Sequence, residues 1–172
     1  MGGSALKIPV SRFSRTQGKA ILESLFPDLD RMFKHWVITK SVKEKSDFGD
    51  MDIICSEPKL DLRQYIKDVL TPQEMVSNAN VLSFEYSGIQ VDLIVVPSEQ
   101  FAWAYYYYSN NDLGNLIGRI ARNLGFKFGG QGFYYEFQRD SGNFSRDILI
   151  SRDIRRVLSF LGFSTFKHNF GT

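Results

Sequence analysis

The sequence predicts an α+β fold: a mixed, largely antiparallel sheet with helices, followed by a smaller α+β part after about residue 98. Three observations predict it. Apolar runs of strand length stand at 52–55, 81–86 and 89–96, and the last two flank Ser87-Gly88, a two-residue hairpin signal. Between these runs lie segments whose apolar residues recur near helical spacing. From Phe126 to Phe137 the chain becomes rich in glycine and aromatic residues, which suits short strands joined by turns.

Taken in order, Gln17 to Phe33 carries Ile21, Leu22, Leu25, Leu29 and Phe33 on one helical face, and Pro27 predicts a break or kink within it. Trp36 to Thr39 is the first expected strand, and Asp52 to Cys55 is the second, ended by Pro58. Leu60 to Leu70 has helical spacing and stops at Thr71-Pro72. After the hairpin, Pro97 closes the sheet and Ser98-Glu99-Gln100 opens a helix through about Tyr107. Asp112 to Leu124 makes another, stopped by Gly125 as a C-cap. Gly129-Gly130 turns the next two strands, 147–151 forms a third, and Ser151 is expected to cap a final helix from Arg152 to Leu161.

The chain of 172 residues suffices for one well-buried domain or two small packed subdomains. Its apolar fraction of 43% and aromatic fraction of 15% describe an ordered protein and exclude a disordered tail. A single cysteine, Cys55, excludes an intrachain disulfide framework, and its apolar neighbours make it a reduced core residue. No run of 18 apolar residues and no signal-type leader occurs, so an intracellular protein is expected, cytoplasm and nucleus not being distinguished. Residues 1–6 are read as a leader, and Leu at position 6 excludes a myristoylation match.

The net charge of +2 conceals an asymmetry. Residues 1–118 hold 12 basic and 15 acidic side chains, whereas residues 119–172 hold 9 and 4. An acidic, metal-binding part followed by a basic part suits an enzyme acting on a polyanion. Ordinary charge fluctuation accounts for the same numbers equally well.

The chemistry concentrates in Gly49-Asp50-Met51-Asp52 and in Asp92, which lies within the apolar run at 89–96. On a strand, Asp50 and Asp52 point to one face, because side chains repeat every two residues. Unpaired carboxylates on apolar strands are costly, so three of them call for cations, and all-carboxylate sites suit Mg²⁺. Two such ions about 3.5–4 Å apart can activate a hydroxyl and stabilise a leaving pyrophosphate. Asp50 and Asp52 can bridge both ions, and Asp92 can hold one. A solvated loop with incidental acids is the plain alternative.

At this point the sequence resembles a family. Asp50 to Ile54 with its leading Gly49, then 91–97, Phe101 to Asp112, Asn115 to Arg119 and Ala121 to Phe126 resemble the family X DNA polymerases, the DNA polymerase beta relatives of the nucleotidyltransferase superfamily. Lys7-Ile8-Pro9 and Leu161-Gly162-Phe163 extend the resemblance over about residues 7–166. It implies a catalytic palm at 7–98 and a small nascent-base-pair-binding subdomain at 99–172. It also implies template-directed addition of deoxynucleotides to a primer 3′-hydroxyl, in short-gap filling during DNA repair. Mg²⁺ would be the metal, with Mn²⁺ able to substitute, and the partners would be gapped or primed DNA and a dNTP, with a monomeric enzyme and no membrane.

Residue by residue, the resemblance makes Asp50, Asp52 and Asp92 the metal ligands, with Asp92 also taking up the 3′-hydroxyl proton or helping to lower that hydroxyl's pKa. Gly49, Ser41 and Lys43 would serve the nucleotide, and Tyr107 and Tyr108 would crowd its sugar 2′ position. Asp112 would pack on the incoming base, Asn115 would contact the nascent pair, and Arg119 would read the template strand in the minor groove. Lys7 with Arg139, Arg146, Arg152, Arg155 and Arg156 would contact DNA phosphates. Plain readings stand beside these: core packing for Tyr105 and Tyr106, a helix cap for Asp112, and a solvated helix face for Asn115, Arg119 and the arginines.

The sequence departs from the family in three places. Lys40 replaces the glycine of its Gly-Ser motif beside Ser41, and Lys43 and Lys45 stand for arginines that clamp phosphate bidentately. Those lysines also read as a solvated loop. Gly129-Gly130 replaces an Asn-Glu pair, and Gln90 replaces an arginine beside Asp92. With six residues before Lys7, no lyase or helix-hairpin-helix element is expected, as in the minimal viral type. Two rival readings are a template-independent nucleotidyltransferase and a catalytically lapsed DNA-binding repair subunit.

Overall fold

Ser14 starts the first long helix by a reciprocal cap. In the computed structural model, which describes residues 4–110, 112–138 and 145–163, its hydroxyl accepts from Gln17 N and the Gln17 side chain accepts from Ser14 N at 2.8 Å. Arg139, Asn111 and the leader residues 1–3 lie outside the described residues. The chain divides into two compact units, Met1–Phe101 and Ala102–Thr172.

In the first unit, β1 (Phe13–Ser14) leads into α1 (Arg15–Met32), then β2 (Phe33–Ile38), β3 (Asp47–Phe48) and β4 (Asp50–Pro58). A short helix α2 (Leu62–Tyr65) runs into a π-turn at Ile66–Leu70, followed by β5 (Met75–Asn78), β6 (Val81–Tyr86) and β7 (Ile89–Val95). The main sheet has the order β2-β4-β7-β6-β5. Only β4 and β7 pair in parallel, so the sheet is mixed and largely antiparallel. The β6–β7 turn carries left-handed backbone at both Ser87 and Gly88, with φ of 52° and 81°, as a two-residue hairpin of this twist requires.

One face of this sheet is the core. Met51, Ile53, Cys55, Val91 and Leu93 project from β4 and β7 against Leu25, Leu29 and Met32 of α1 and Ile66. Cys55 is fully buried there, and burial pushes its thiol pKa up, away from reactivity. The opposite face carries Asp50, Asp52, Gln90 and Asp92, because a period of two sends alternate side chains the other way.

α1 runs unbroken through Pro27, against the expected break. A proline inside a helix costs about 3 kcal/mol, whereas each buried leucine or methionine returns about 1.5–3 kcal/mol. Leu25, Leu29 and Met32, all at 0% exposure, flank the proline and outweigh it. Pro27 itself is exposed. Pro27→Ala is therefore expected to raise the stability of this unit by about 1–3 kcal/mol, read as a higher urea midpoint; an unchanged or lower midpoint would contradict this account.

A 3₁₀ turn at Ser98–Gln100 leads into α3 (Phe101–Tyr108), whose first residue closes the first unit, and the second unit continues with α4 (Leu113–Asn123). Then come β8 (Phe126–Gly129), β9 (Gly132–Gln138), β10 (Ser145–Ser151) and α5 (Ile154–Phe160). The three strands form an antiparallel sheet of order β10-β9-β8. Trp103, Ile117, Ala121, Phe128, Phe133 and Val157 make its core. Gly125, at φ 80°, ends α4 as expected.

Two details differ from expectation. The β8–β9 turn is Gly130-Gln131, one residue later than Gly129-Gly130. The cap of α5 is Asp153, whose carboxylate accepts from Arg155 N and Arg156 N, while Ser151 accepts only from Asp153 N. A carboxylate that meets two terminal N–H groups at a positive helix end outcompetes a hydroxyl.

Candidate metal centre in the first unit

The parallel pairing of β4 with β7 sets Asp52 directly opposite Asp92 and Asp50 opposite Gln90. Asp50 and Asp52 share a face by strand period, and Asp92 joins them from the neighbouring strand. One carboxylate oxygen from each of the three lies within 4.8 Å of the others. All three side chains are half-buried.

The electrostatics record the crowding. Burial first, then the charges of Asp50 and Asp92, push the Asp52 carboxyl up to about 7, against a smaller opposing pull from Lys45. Asp92 is also raised, mainly by burial, with Asp50 adding to the shift. Hydrogen bonds from Ser83 and Gln90 work against it. Three clustered carboxylates form a set of hard oxygen donors that fits a divalent cation such as Mg²⁺. Mn²⁺ accepts the same donors.

Gln90 holds Asp92. The residue is 1% exposed, and its Nε2 donates to Oδ1 and Oδ2 of Asp92 at 2.9 and 3.0 Å. Its Oε1 accepts from Ala5 N at 3.0 Å and Leu6 N at 3.4 Å. The described end of the leader is thus tied to the strand that carries Asp92.

The loop between β2 and β3 bears Ser41, Lys43 and Lys45, and Gly49 is buried where β3 passes into β4. Arg15, in the first turn of α1, organises that loop: its Nη2 donates to the carbonyls of Val42 and Lys45 at 3.1 Å and of Lys43 at 3.4 Å. Arg15 and Lys45 also lie over the Phe48 ring, at 5.5 and 5.1 Å. Sequence reading missed Arg15, because nothing in its neighbourhood announces a partner 27 to 30 residues away. Lys7 is exposed, and its backbone N donates to Glu74 at 2.7 Å.

In the second unit, Tyr107 and Tyr108 end α3 with their rings edge to face at 4.9 Å, and Tyr107 also meets Phe128 at 5.6 Å. A side chain on Gly130 would lie 2.8 Å from the Tyr108 hydroxyl, so the β8–β9 turn and Tyr108 fit closely. Tyr106 does not pack on the core as expected. It is 47% exposed, because successive helical positions point about 100° apart and Trp103 and Ala104 take the buried side.

Asp112, Asn115 and Arg119 are exposed along α4. Asp112 stands at the N-cap position without a capping hydrogen bond, and its carboxylate instead accepts from the Asn115 amide at 3.4 Å. Arg155 and Arg156 are exposed on α5, where Arg156 pairs with Asp153 at 3.4 Å. Arg152 is half-buried, and its Nε donates to the Gln131 carbonyl at 2.9 Å. Arg146 is exposed on β10 opposite Phe137.

Comparison of the sequence with family models finds no match, and comparison with curated proteins finds none either. No helix among the described residues is long and apolar enough to cross a membrane.

Proposed function

We propose that the protein is a template-directed nucleotidyltransferase, a small DNA polymerase of the family X type with its palm in the first unit. The observation that carries this reading is the convergence of Asp50, Asp52 and Asp92 across the parallel β4–β7 pair. Asp50, Asp52 and Asp92 would together hold the divalent ions. Bound there, the ions would supply charge neutralisation and a more acidic primer hydroxyl.

The chain's own residues do the rest by position and charge. Asp92, fixed at both oxygens by Gln90, is the acceptor for the 3′-hydroxyl proton. The freed oxygen bonds to the α-phosphorus of the dNTP, and the bond to pyrophosphate breaks. Lys43 and Lys45 offer point charges to the triphosphate from a loop that Arg15 holds by three carbonyls. Tyr107 and Tyr108 would meet the sugar and Asp112 the base. Asn115 and Arg119, one helical turn apart on the exposed side of α4, would meet the minor-groove edge of the new pair. Exposed Lys7, Arg155 and Arg156 are offered to phosphates, and Arg152 serves mainly to hold the β8–β9 turn.

Extension of a gapped primer–template with each dNTP and each matching rNTP tests the reading. The expected result is Mg²⁺-dependent addition of the templated deoxynucleotide, with the rNTPs poorly used. Additions that ignore the template base would identify a template-independent transferase instead. DNA binding with no incorporation in either Mg²⁺ or Mn²⁺ would identify a lapsed subunit.

A further inference from the structure

We propose that Gln90 is a positioning residue for Asp92, and that the backbone of Ala5 and Leu6 sets it in that role. The proposal rests on reading the three aspartates as a divalent-metal site. It begins from an anomaly: a primary amide at 1% exposure within a strand of Ile, Val and Leu. A buried amide persists only where its polar atoms are satisfied. Here both ends are. Nε2 donates to the two oxygens of Asp92, and Oε1 accepts from two backbone N–H groups.

Those acceptor bonds determine which way the amide faces. Turned over, it would set NH₂ against the N–H groups of Ala5 and Leu6 and a carbonyl oxygen against a carboxylate. Both contacts would repel. The segment that enforces the choice is itself tied down. Glu74 accepts from Lys7 N at 2.7 Å and Ile8 N at 2.9 Å, and Ser11 N donates to Gly88 O at 2.8 Å.

The consequence falls on Asp92. Gln90 and Asp92 are two residues apart on β7, so the amide reaches the carboxylate along one face and orients it before any cation arrives. An amide does this without a formal charge. A lysine or arginine in its place would orient the carboxylate too, but would oppose the approach of a cation. Residues that hold a metal-binding carboxylate by hydrogen bonds commonly change metal affinity 10- to 100-fold when lost.

The test measures Mn²⁺ binding by electron paramagnetic resonance, without nucleotide or DNA, well below the unfolding temperature. Metal-free melting curves are recorded in parallel. Gln90→Met keeps the length and burial but cannot donate, and is expected to weaken Mn²⁺ binding about 10- to 100-fold. Ala5→Pro deletes one N–H at an exposed residue, leaves Gln90 intact, and is expected to weaken binding severalfold. A purely structural role for Gln90 would lower the melting temperature and leave Mn²⁺ affinity unchanged, which overturns the proposal. Unchanged affinity in Ala5→Pro overturns the part given to the N-terminal backbone, and decides the matter should Gln90→Met not fold. A parent protein that binds no Mn²⁺ overturns the metal-site reading and this proposal together; a parent that binds it as tightly as Gln90→Met overturns this proposal alone.

Discussion

Asp52→Asn is expected to melt several degrees above the parent protein at pH 8 when both are free of divalent metal, and to lose the primer extension proposed above. The first half follows from the raised Asp52 carboxyl, at about 7 in the folded chain against an ordinary unfolded value near 3.8. Below about pH 4 both states carry the proton and the group is neutral in the balance. As pH rises toward 7 the unfolded chain releases the proton while the folded chain retains it, so stability falls. Above about 7 the whole penalty is in force.

An asparagine removes it. A shift of this size corresponds to a ceiling of about 4 kcal/mol, and for a half-buried side chain about 1–3 kcal/mol is the expected gain. That gain should vanish near pH 4. Added Mg²⁺ should then invert the order, raising the parent and leaving the variant where it was. Extension by the variant should fall about a hundred- to a thousandfold. A variant less stable than the parent at pH 8 without metal would show that the carboxylates do not strain one another.

Gly114→Ala is expected to destabilise the second unit by about 2–3 kcal/mol, against the direction that helix propensity dictates. Exchanging glycine for alanine within a helix ordinarily gains about 0.5–1 kcal/mol. At Gly114, however, a Cβ would lie 2.5 Å from the Tyr107 carbonyl oxygen and 3.6 Å from the Tyr107 ring, and the backbone cannot yield as a side chain can. Gly118 gives the contrast on the same helix. Its nearest neighbour would be the Phe128 carbonyl at 3.5 Å, an ordinary contact, so Gly118→Ala should stabilise.

Two substitutions of one kind, four residues apart, should therefore move the melting temperature in opposite directions. If Tyr107 meets the nucleotide sugar as proposed, a clash against it in Gly114→Ala should also weaken discrimination between dNTP and rNTP. Equal and favourable shifts for both variants would remove the close approach of α4 to Tyr107.

What could be read from the sequence was whatever local chemistry enforces. β6, β7 and their turn were legible, because Ser87-Gly88 leaves the chain little other conformation between two apolar runs. The three acids were legible because carboxylates on a strand of isoleucine and valine are improbable without a use. β5 was not, since Met75–Asn78 is short, half polar and an edge strand that owes its form to β6. The π-turn at Ile66–Leu70 has the same spacing signal as an α-helix and ends at Thr71 with φ 45°. Gln90 stood out only as a departure from the family's arginine beside Asp92, and its role was hidden because its partners Ala5 and Leu6 lie 85 and 84 residues away. Pro27 misled because its local cost is visible in the chain while the burial that offsets it is not.

The register of β4 on β7 has a consequence for how the chain folds. The strands are joined through about 30 residues, and parallel pairing over such distances is slow to find. A slip of one residue would turn Asp92 toward Leu25 and Leu29 and bring Leu93 out beside Asp52. Such a slipped chain could not assemble the three-carboxylate cluster. A divalent cation held by that cluster, as proposed above, would thus bind only molecules that have found the right pairing, and would act as a checkpoint on assembly.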